Sequence, residues 1–193
     1  MPLTKLDSTA ALIVIDLQKG VVDLPTAHPV GGVVKNASAL ADEFRRHGLP
    51  VVLVTVTGTP PGRTDQAQST GQLNRQFPAG WADLVPELNY QPADHAVTKQ
   101  TWGAFTNTDL AEHLKTTGVT QVVIAGVTTS LGVESTARQA HELGFNVALA
   151  VDAMTDRNAD AHTNSITRIF PRLGETATTQ EILGLLKNKR GPA

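Results

Sequence analysis

Short runs of apolar residues alternate along the chain with segments in which apolar residues recur every three or four positions. The first run, residues 11–15 (ALIVI), is continuous and ends at Asp16. Continuous runs of this length are typical of strands buried on both faces, whereas the wider spacing is typical of amphipathic helices. The predicted strands are residues 11–15, 50–56, 95–99, 119–127, 146–153 and a short sixth strand at 174–178.

Helical spacing fills the intervals between the predicted strands. In residues 33–47 the apolar positions share one face, and Gly48 marks the end of that helix. Another helix is predicted to begin at Thr108, its N-cap, and to end at Gly118. The remaining predicted helices are residues 133–143, residues 160–169 before Pro171, and residues 182–186 after a capping box of Thr178 and Glu181.

The alternation of strands and helices continues along the whole chain, without an internal repeat. It predicts one α/β domain over residues 1–193, a three-layer α/β/α sandwich around a six-stranded, mainly parallel Rossmann-like sheet. Residues 57–94 interrupt it with a polar stretch that is rich in Gly, Pro and Gln. Such a long connection is either a lid or interface, or a plain surface insertion. The basic tail, residues 187–193, is predicted to fray.

Composition and charge narrow the possible classes of function. The net charge of -2 gives no electrostatic reason to expect nucleic acid or an anionic membrane as a partner. No apolar run approaches the roughly 20 residues that span a bilayer, and the N-terminus lacks a signal-peptide core. Because the chain contains no cysteine, it has no disulfide, thiolate nucleophile or thiolate metal site. We therefore expect a cytoplasmic protein.

Three residues of chemical interest follow or end predicted strands. Asp16 comes after the first strand, Lys99 ends the third, and Gly132 follows the fourth. Taken singly, each has an ordinary explanation as a turn cap, a surface charge or a close-packing glycine. Because the carboxyl ends of parallel strands lie at one edge of a sheet, we expect these residues to meet there.

Three sequence blocks around these residues resemble the isochorismatase-like hydrolase superfamily, the cysteine hydrolases that include nicotinamidases, N-carbamoylsarcosine amidases and isochorismatases. The blocks are ALIVIDLQ (residues 11–18), TKQTWGAF (98–105) and GVTTSLGVESTAR (126–138). The resemblance spans residues 10–186. In the amidase members the catalytic triad is Asp, Lys and Cys, which falls here on Asp16, Lys99 and Gly132. Glycine at the third position excludes covalent thiolate catalysis.

Isochorismatases of siderophore and phenazine synthesis resemble this chain at the glycine, and they hydrolyse a vinyl ether without a covalent intermediate. The resemblance implies that Asp16 donates a proton to the enol carbon and that water then adds. Lys99 would hold a substrate carboxylate or stabilise charge. The space at Gly132 would admit substrate or water beside backbone N–H groups that face an anion. Because a cation favours an ionised carboxylate, burial or a substrate-borne proton must offset Lys99.

The resemblance also implies a non-proline cis peptide bond between Val127 and Thr128. Trp102 and Phe105, with Trp81 or Phe77, are candidate apolar walls, since small-molecule pockets favour aromatic linings. Core or subunit packing would explain these aromatic residues equally well. The substrate-binding candidates are Gln18, Trp102, Phe105, Val127, Thr128 and Leu131.

No metal or cofactor is expected. Zinc-bearing nicotinamidases carry an Asp-x-His motif after the second strand, where this chain has TVTGTPP, and its six histidines lack metal-ligand spacing. No Gly-rich dinucleotide motif follows the first strand. The hydroxyls of Thr129, Ser130 and Ser135 lie near Gly132, but the sequence offers no obvious histidine to activate them.

Three hypotheses for function remain open at this point. The favoured one is a cysteine-independent hydrolase of small carboxylated metabolites that uses Asp16 and Lys99. The second is a non-catalytic binding or scaffold protein that has kept the pocket. The third is an amidase that uses a directly activated water. The resemblance implies a small-molecule substrate and a homodimer or larger homo-oligomer.

Overall fold

A parallel six-stranded sheet forms the centre of the molecule, with helices on both faces. The computed structural model describes residues 3–60, 62–65 and 77–188. The strands are β1 Ala10–Ile15, β2 Val51–Val56, β3 His95–Lys99, β4 Gln121–Val127, β5 Asn146–Thr155 and β6 Glu175–Ala177. Their order is β3-β2-β1-β4-β5-β6, and each neighbouring pair is parallel. The predicted α/β sandwich is confirmed, with a sheet that is parallel throughout.

The helices pack in two layers against this sheet. They are α1 Lys19–Val22, α2 Val30–Arg46, α3 Leu110–Thr116, α4 Glu134–Glu142, α5 Ala159–Asn164 and α6 Thr179–Asn188. Shorter turns of π-helix, Thr129–Val133 and Ser165–Ile169, and of 3-10 helix, Pro86–Leu88 and Phe170–Arg172, complete the helical structure described. Among the described residues, no helix combines the length and the apolarity that a membrane crossing requires.

The continuous apolar run of β1 is explained by its position between two cores. Leu12 and Val14 belong to the core that packs against α2 and α6. Ile13 and Ile15 belong to the core on the opposite face, with side chains of α3 and α4. Because successive side chains of a strand point to opposite faces, a strand covered on both sides needs apolar residues at every position.

The largest difference from the predicted boundaries lies in β5. Ile124 of β4 pairs with Leu149, but Gly126 pairs with Met154, so the register shifts between them. The irregularity lengthens β5, which ends at Thr155 rather than at residue 153. A bulge of this kind bends a strand and redirects the residues that follow it. The chain therefore leaves β5 beside the carboxyl ends of β1 and β4.

Helix ends differ from the predictions where side chains bond elsewhere. Asp109, not the predicted Thr108, occupies the N-cap position of α3. Thr108 Oγ1 still accepts a bond from Leu110 N–H at 3.4 Å, while its hydroxyl donates to the carbonyl of Ala104 at 2.6 Å. The capping box is confirmed, because Thr178 N–H donates to Glu181 Oε2 at 2.7 Å and Glu181 N–H donates to Thr178 Oγ1 at 3.3 Å. Helix α6 continues through Lys187, so the predicted fraying does not begin there.

One further predicted helix lies where it was expected but is not a regular α-helix throughout. The segment predicted as a helix over residues 160–169 is α-helical only over Ala159–Asn164 and continues as a π-helical turn. Residues 189–193 of the predicted frayed tail lie outside the described residues.

Only part of the long polar connection over residues 57–94 is described, since residues 61 and 66–76 lie outside the described ranges. In the described part, the ring of Phe77 stacks on that of Trp81 with centroids 4.1 Å apart. The Trp81 side chain packs directly against Gly20 of α1. The role of residues 57–94 as a lid or interface stays a prediction.

Candidate active site

A cavity of about 200 Å³ lies at the edge of the sheet where the strands end. Asp16, Lys99 and Gly132 all line it, although they are far apart in sequence. β1 and β4 are neighbours in the sheet, and Lys99 at the end of β3 reaches across from two strands away. The parallel topology thus brings the three residues into one small space, as the strand order requires.

Asp16 and Lys99 form a buried ion pair. Lys99 Nζ donates to Asp16 Oδ2 at 2.8 Å and to the carbonyl of Thr101 at 3.1 Å. The side chains are only 8% and 1% exposed. The second carboxylate oxygen, Asp16 Oδ1, is buried without a hydrogen-bond partner among the described residues. One oxygen of this carboxyl group is therefore available for a proton or a ligand.

Burial controls the protonation of Asp16. It raises the pKa of this carboxyl group from 3.8 to about 6, a larger effect than the opposing charge and hydrogen bond of Lys99. The residue also holds a left-handed backbone conformation, with φ of 51°. Such conformations are uncommon outside glycine and concentrate at functional sites. Asp16 is thus half protonated near pH 6, as a proton donor working close to neutrality requires.

Gly132 packs closely against the carboxyl group of Asp16. A Cβ atom at this position would lie 3.0 Å from Ile15 Cγ2 and 3.2 Å from Asp16 Oδ2. These contacts are tight, so a side chain here would crowd Asp16 from the cavity side. Gly132 lies in the π-helical turn Thr129–Val133, which follows a cis peptide bond between Val127 and Thr128. The cis bond that the resemblance implied is confirmed.

Several backbone N–H groups of the π-helical turn donate within the protein. Ser130 N–H donates to Asp156 Oδ2 at 2.7 Å. Leu131 N–H and Val133 N–H both donate to the carbonyl of Thr128, at 3.2 and 3.1 Å. These three N–H groups are engaged within the protein, whereas the expectation that backbone N–H groups beside Gly132 face an anion stays a prediction.

Close packing between β1 and β4 fixes the position of Asp16. Gly126 of β4 pairs with Ile15, the residue before Asp16. Gly126 has a φ of 119°, and a Cβ atom on it would collide with the backbone of Ile15. Only glycine satisfies both the backbone conformation and the close approach. The local chain path that presents Asp16 to the cavity depends on this contact.

Four of the predicted binding residues line the cavity and two do not. The lining includes Trp102, Val127, Thr128 and Leu131. Gln18 is fully buried instead. Its Nε2 donates to the carbonyl of Val56 at 3.0 Å, and its Oε1 accepts from Val56 N–H at 2.7 Å.

The aromatic candidates separate in the same way. Trp102 is 49% exposed and lies at the mouth of the cavity. Phe105 packs against the core beside Phe145, with ring centroids 6.1 Å apart. Trp81 and Phe77 stack on each other and also lie outside the cavity lining. Core packing thus accounts for Phe105.

Sequence analysis did not identify several lining residues. Arg157 is the most notable of them, because it is exposed, charged and located directly after β5. Its position at the end of a strand was the signal that could have revealed it, since the carboxyl ends of parallel strands share one edge. The other lining residues not predicted are Val21, Leu24, Thr26, Val56, Gly58, Thr59 and Pro60.

The structure supplies a histidine for one of the hydroxyls near Gly132, contrary to the sequence-based expectation. Thr129 Oγ1 lies 2.8 Å from His162 Nδ1. Burial, and then the neighbouring His28 ring at 4.6 Å, lower the pKa of His162. Thr129 is fully buried and does not line the cavity, so this pair ties the π-helical turn to α5. The described residues contain no group of three acidic or histidine side chains suited to a metal ion.

Comparison with known proteins agrees with this architecture. The Isochorismatase domain family matches residues 10–181. The chain belongs to the isochorismatase family. One relative, the uncharacterized isochorismatase family protein YwoC of Bacillus subtilis, is 40% identical, over 92% of this chain and 94% of its own. Nicotinamidase 3 of Arabidopsis thaliana is 32% identical, over 79% of this chain and 76% of its own.

A solved structure extends the similarity to three dimensions. The structure of an isochorismatase family protein from Burkholderia thailandensis superimposes with a TM-score of 0.86 and 38% identity, and covers 95% of this chain and 98% of its own. The family and the fold are therefore established together.

Proposed function

We propose that this isochorismatase-family protein is a hydrolase that acts on a small carboxylated metabolite without a covalent intermediate. The reaction is an acid-assisted addition of water to an enol ether, with Asp16 as the proton donor. The observation that carries the proposal is the state of the Asp16 carboxyl group, which is buried, has a pKa of about 6 and has one oxygen without a partner. We assign the protein to the branch of the family whose members have glycine instead of cysteine at the position of Gly132.

The first step transfers the proton of the Asp16 carboxyl group to the terminal carbon of the enol ether. The O–H bond breaks, a C–H bond forms from the π electrons, and an oxocarbenium ion results. Asp16 becomes a carboxylate at that moment, and Lys99 Nζ already lies 2.8 Å from its Oδ2. Lys99 therefore stabilises the product of proton transfer, since an adjacent cation favours the ionised form.

The second step adds water to the cationic carbon. A C–O bond forms, and the water proton returns to Asp16, which restores the starting enzyme. The resulting hemiketal collapses as its ether C–O bond breaks and the leaving oxygen takes a proton, so one water molecule yields an alcohol and a carbonyl compound. The water would come from the cavity that Asp16 and Gly132 both line.

The test is turnover of isochorismate and of a panel of smaller enol ethers by the purified protein. Wild-type protein should release the carbonyl product, and Asp16→Asn should lower kcat/KM by about 10²- to 10⁴-fold, the usual contribution of a general acid. Turnover that is unchanged in Asp16→Asn would reject the mechanism. Binding without any turnover would instead favour the non-catalytic pocket or scaffold hypothesis.

An amidase activity with directly activated water is the remaining alternative, and Gly132→Cys separates it from the proposal. The new Cβ would lie 3.2 Å from Asp16 Oδ2, which places a thiol beside the acid and Lys99. Under our proposal, amidase activity toward nicotinamide is absent from the wild type and arises only in this variant. A measurable amidase rate in the wild-type protein would support the alternative.

We further infer that the protein needs no metal or cofactor, has no nucleic-acid partner and works in the cytoplasm as a homodimer or larger homo-oligomer. Light scattering on the purified protein tests the assembly, since a monomer at micromolar concentration would contradict it.

A further inference from the structure

Arg157 differs from the other charged side chains that line the cavity. Asp16 and Lys99 neutralise each other at 2.8 Å. Arg157 lines the same cavity from the end of β5, is exposed, and makes no hydrogen bond or ion pair within the part of the chain that the structure describes. It is therefore the cavity cation that a ligand can use without first breaking a contact inside the protein.

Most of the other groups near Gly132 that could bind an anion already donate within the protein. Two of the three N–H bonds of Lys99 go to Asp16 and to the carbonyl of Thr101. The N–H groups of Ser130, Leu131 and Val133 donate within the protein. Arg157 is thus the lining residue best suited to a carboxylate, which a guanidinium can bind through two parallel hydrogen bonds.

The charges around the cavity set the charge of the preferred ligand. In the resting protein above pH 6, Asp16 is ionised, its charge cancels that of Lys99, and Arg157 leaves one net positive charge. A ligand with one carboxylate balances that charge. A second carboxylate would lack a cation and would lie near Asp16, where like charges repel.

The cavity also limits the size and polarity of the ligand. Its volume of about 200 Å³ suits a compound of one ring or a short branched chain. Much of the wall is apolar, with contributions from Val21, Leu24, Val56, Trp102 and Leu131. Such walls favour a ligand whose polar group stays near Arg157 while its carbon skeleton extends toward Asp16.

We propose that Arg157 is a specificity residue that binds the single carboxylate of a small, otherwise apolar substrate at the mouth of the cavity. This inference rests on the proposed function for the use of the cavity as a substrate site. It replaces Lys99 as the group that holds the carboxylate, and it selects monocarboxylates over neutral compounds and, while Asp16 is ionised, over dicarboxylates.

Calorimetric titration of the unreactive probes benzoate, benzamide and isophthalate tests the inference without any turnover. Wild-type protein should bind benzoate about tenfold more tightly than benzamide, a ratio expected for one charge-assisted contact. Arg157→Gln should abolish that preference, and Arg157→Lys should keep part of it because the charge remains. The control Arg168→Gln, at an exposed arginine outside the cavity, should behave as wild type.

Several outcomes would overturn the inference. The first is that the wild type does not bind benzoate detectably. The second is that wild type and Arg157→Gln prefer benzoate over benzamide equally. The third is that isophthalate binds clearly more tightly than benzoate. Urea unfolding of each variant shows that it is folded. Because benzoate is not hydrolysed, a failure of catalysis leaves these results intact, and a failure of Arg157 binding leaves the Asp16 turnover test intact.

Discussion

Two of the buried carboxylate–cation pairs in the described ranges differ in how completely they are bonded. In the pair of Asp94 and Arg45, Nε donates to Oδ1 at 3.0 Å and Nη2 donates to Oδ2 at 2.8 Å. The backbone N–H of Gln91 adds a third bond to Oδ2 at 2.8 Å. In the pair of Asp16 and Lys99, one oxygen accepts one bond at 2.8 Å and the other oxygen has no partner among the described residues.

This contrast separates a structural ion pair from a reactive one. A carboxylate with both oxygens bonded holds its surroundings together and has no capacity left for a proton or a substrate. Asp16 is poorly stabilised as an anion, and burial raises its pKa to about 6. Since that value exceeds the ordinary 3.8, its contribution to stability is complete below pH 3.8 and is lost as the pH rises through 6. Protonated Asp16 is the acid of the proposed reaction, so the rate and this contribution to stability both decline as the pH rises through 6.

The largest expected effect is on stability, at the structural pair. Asp94→Asn should lower the free energy of unfolding by about 3 kcal/mol, because it leaves the partly buried guanidinium of Arg45 without its charge partner. Urea denaturation measures this change. Asp42→Asn is the matched control, since Asp42 bonds the same arginine at 3.1 Å from an exposed position and should cost less than about 1 kcal/mol.

The same variant also tests the separation of roles. Turnover per folded molecule of Asp94→Asn should equal that of the wild type, because Asp94 does not line the cavity. A large loss of kcat in folded Asp94→Asn would break the distinction between the two pairs.

A smaller effect is expected on the pH dependence, at the reactive pair. The rate of wild-type protein should rise as the pH falls through about 6, because the general acid must be protonated. Lys99→Met removes the cation that lowers the pKa of Asp16, so the inflection should move upward by roughly one pH unit or more. The kcat/KM profile from pH 5 to 9 measures it. Lys115→Met, at an exposed lysine, should leave the inflection unchanged, and a downward shift in Lys99→Met would contradict Asp16 as the acid.

The smallest effect is expected at Gly132. Gly132→Ala adds a methyl group 3.0 Å from Ile15 Cγ2 and 3.2 Å from Asp16 Oδ2. The free energy of unfolding should change by less than about 1.5 kcal/mol, since neighbours can yield by a few tenths of an ångström. Turnover should fall several-fold, because the methyl group narrows access to the acid. Gly184→Ala is the matched control, because Gly184 faces open space on α6 and its substitution should leave turnover unchanged. A loss of turnover in Gly184→Ala equal to that in Gly132→Ala would contradict crowding of Asp16 as the cause.

Much of this arrangement could be predicted from the chain itself. Strand β3 lies where the apolar pattern put it, and the positions of Asp16, Lys99 and Gly132 at strand ends followed from strand periodicity and parallel order. The charge partner of Asp16 was also foreseeable, because only one edge of a parallel sheet collects these side chains.

The rest depended on contacts between distant segments, which local patterns do not encode. The bulge in β5 brings Arg157 to the cavity, and the prediction ended that strand at residue 153, so Arg157 was not placed at the strand end. Burial of Phe105 against Phe145 depends on how α4 packs, and Thr129 meets His162 only because α5 lies beside the π-helical turn. In the same way, residues distant in sequence, such as Asp156 beside Ser130 N–H, determine which backbone N–H groups of the π-helical turn are hydrogen-bonded within the protein.

The absence of a side chain at Gly126 has a consequence for anyone who wishes to redesign this protein. A library that randomises the cavity walls can vary the accepted substrate while the acid stays in place. Any larger residue at position 126, although it points at no ligand, would push apart the two strands that hold Ile15 and would displace the proton donor. The tolerance of the pocket to engineering thus rests on a backbone contact behind it.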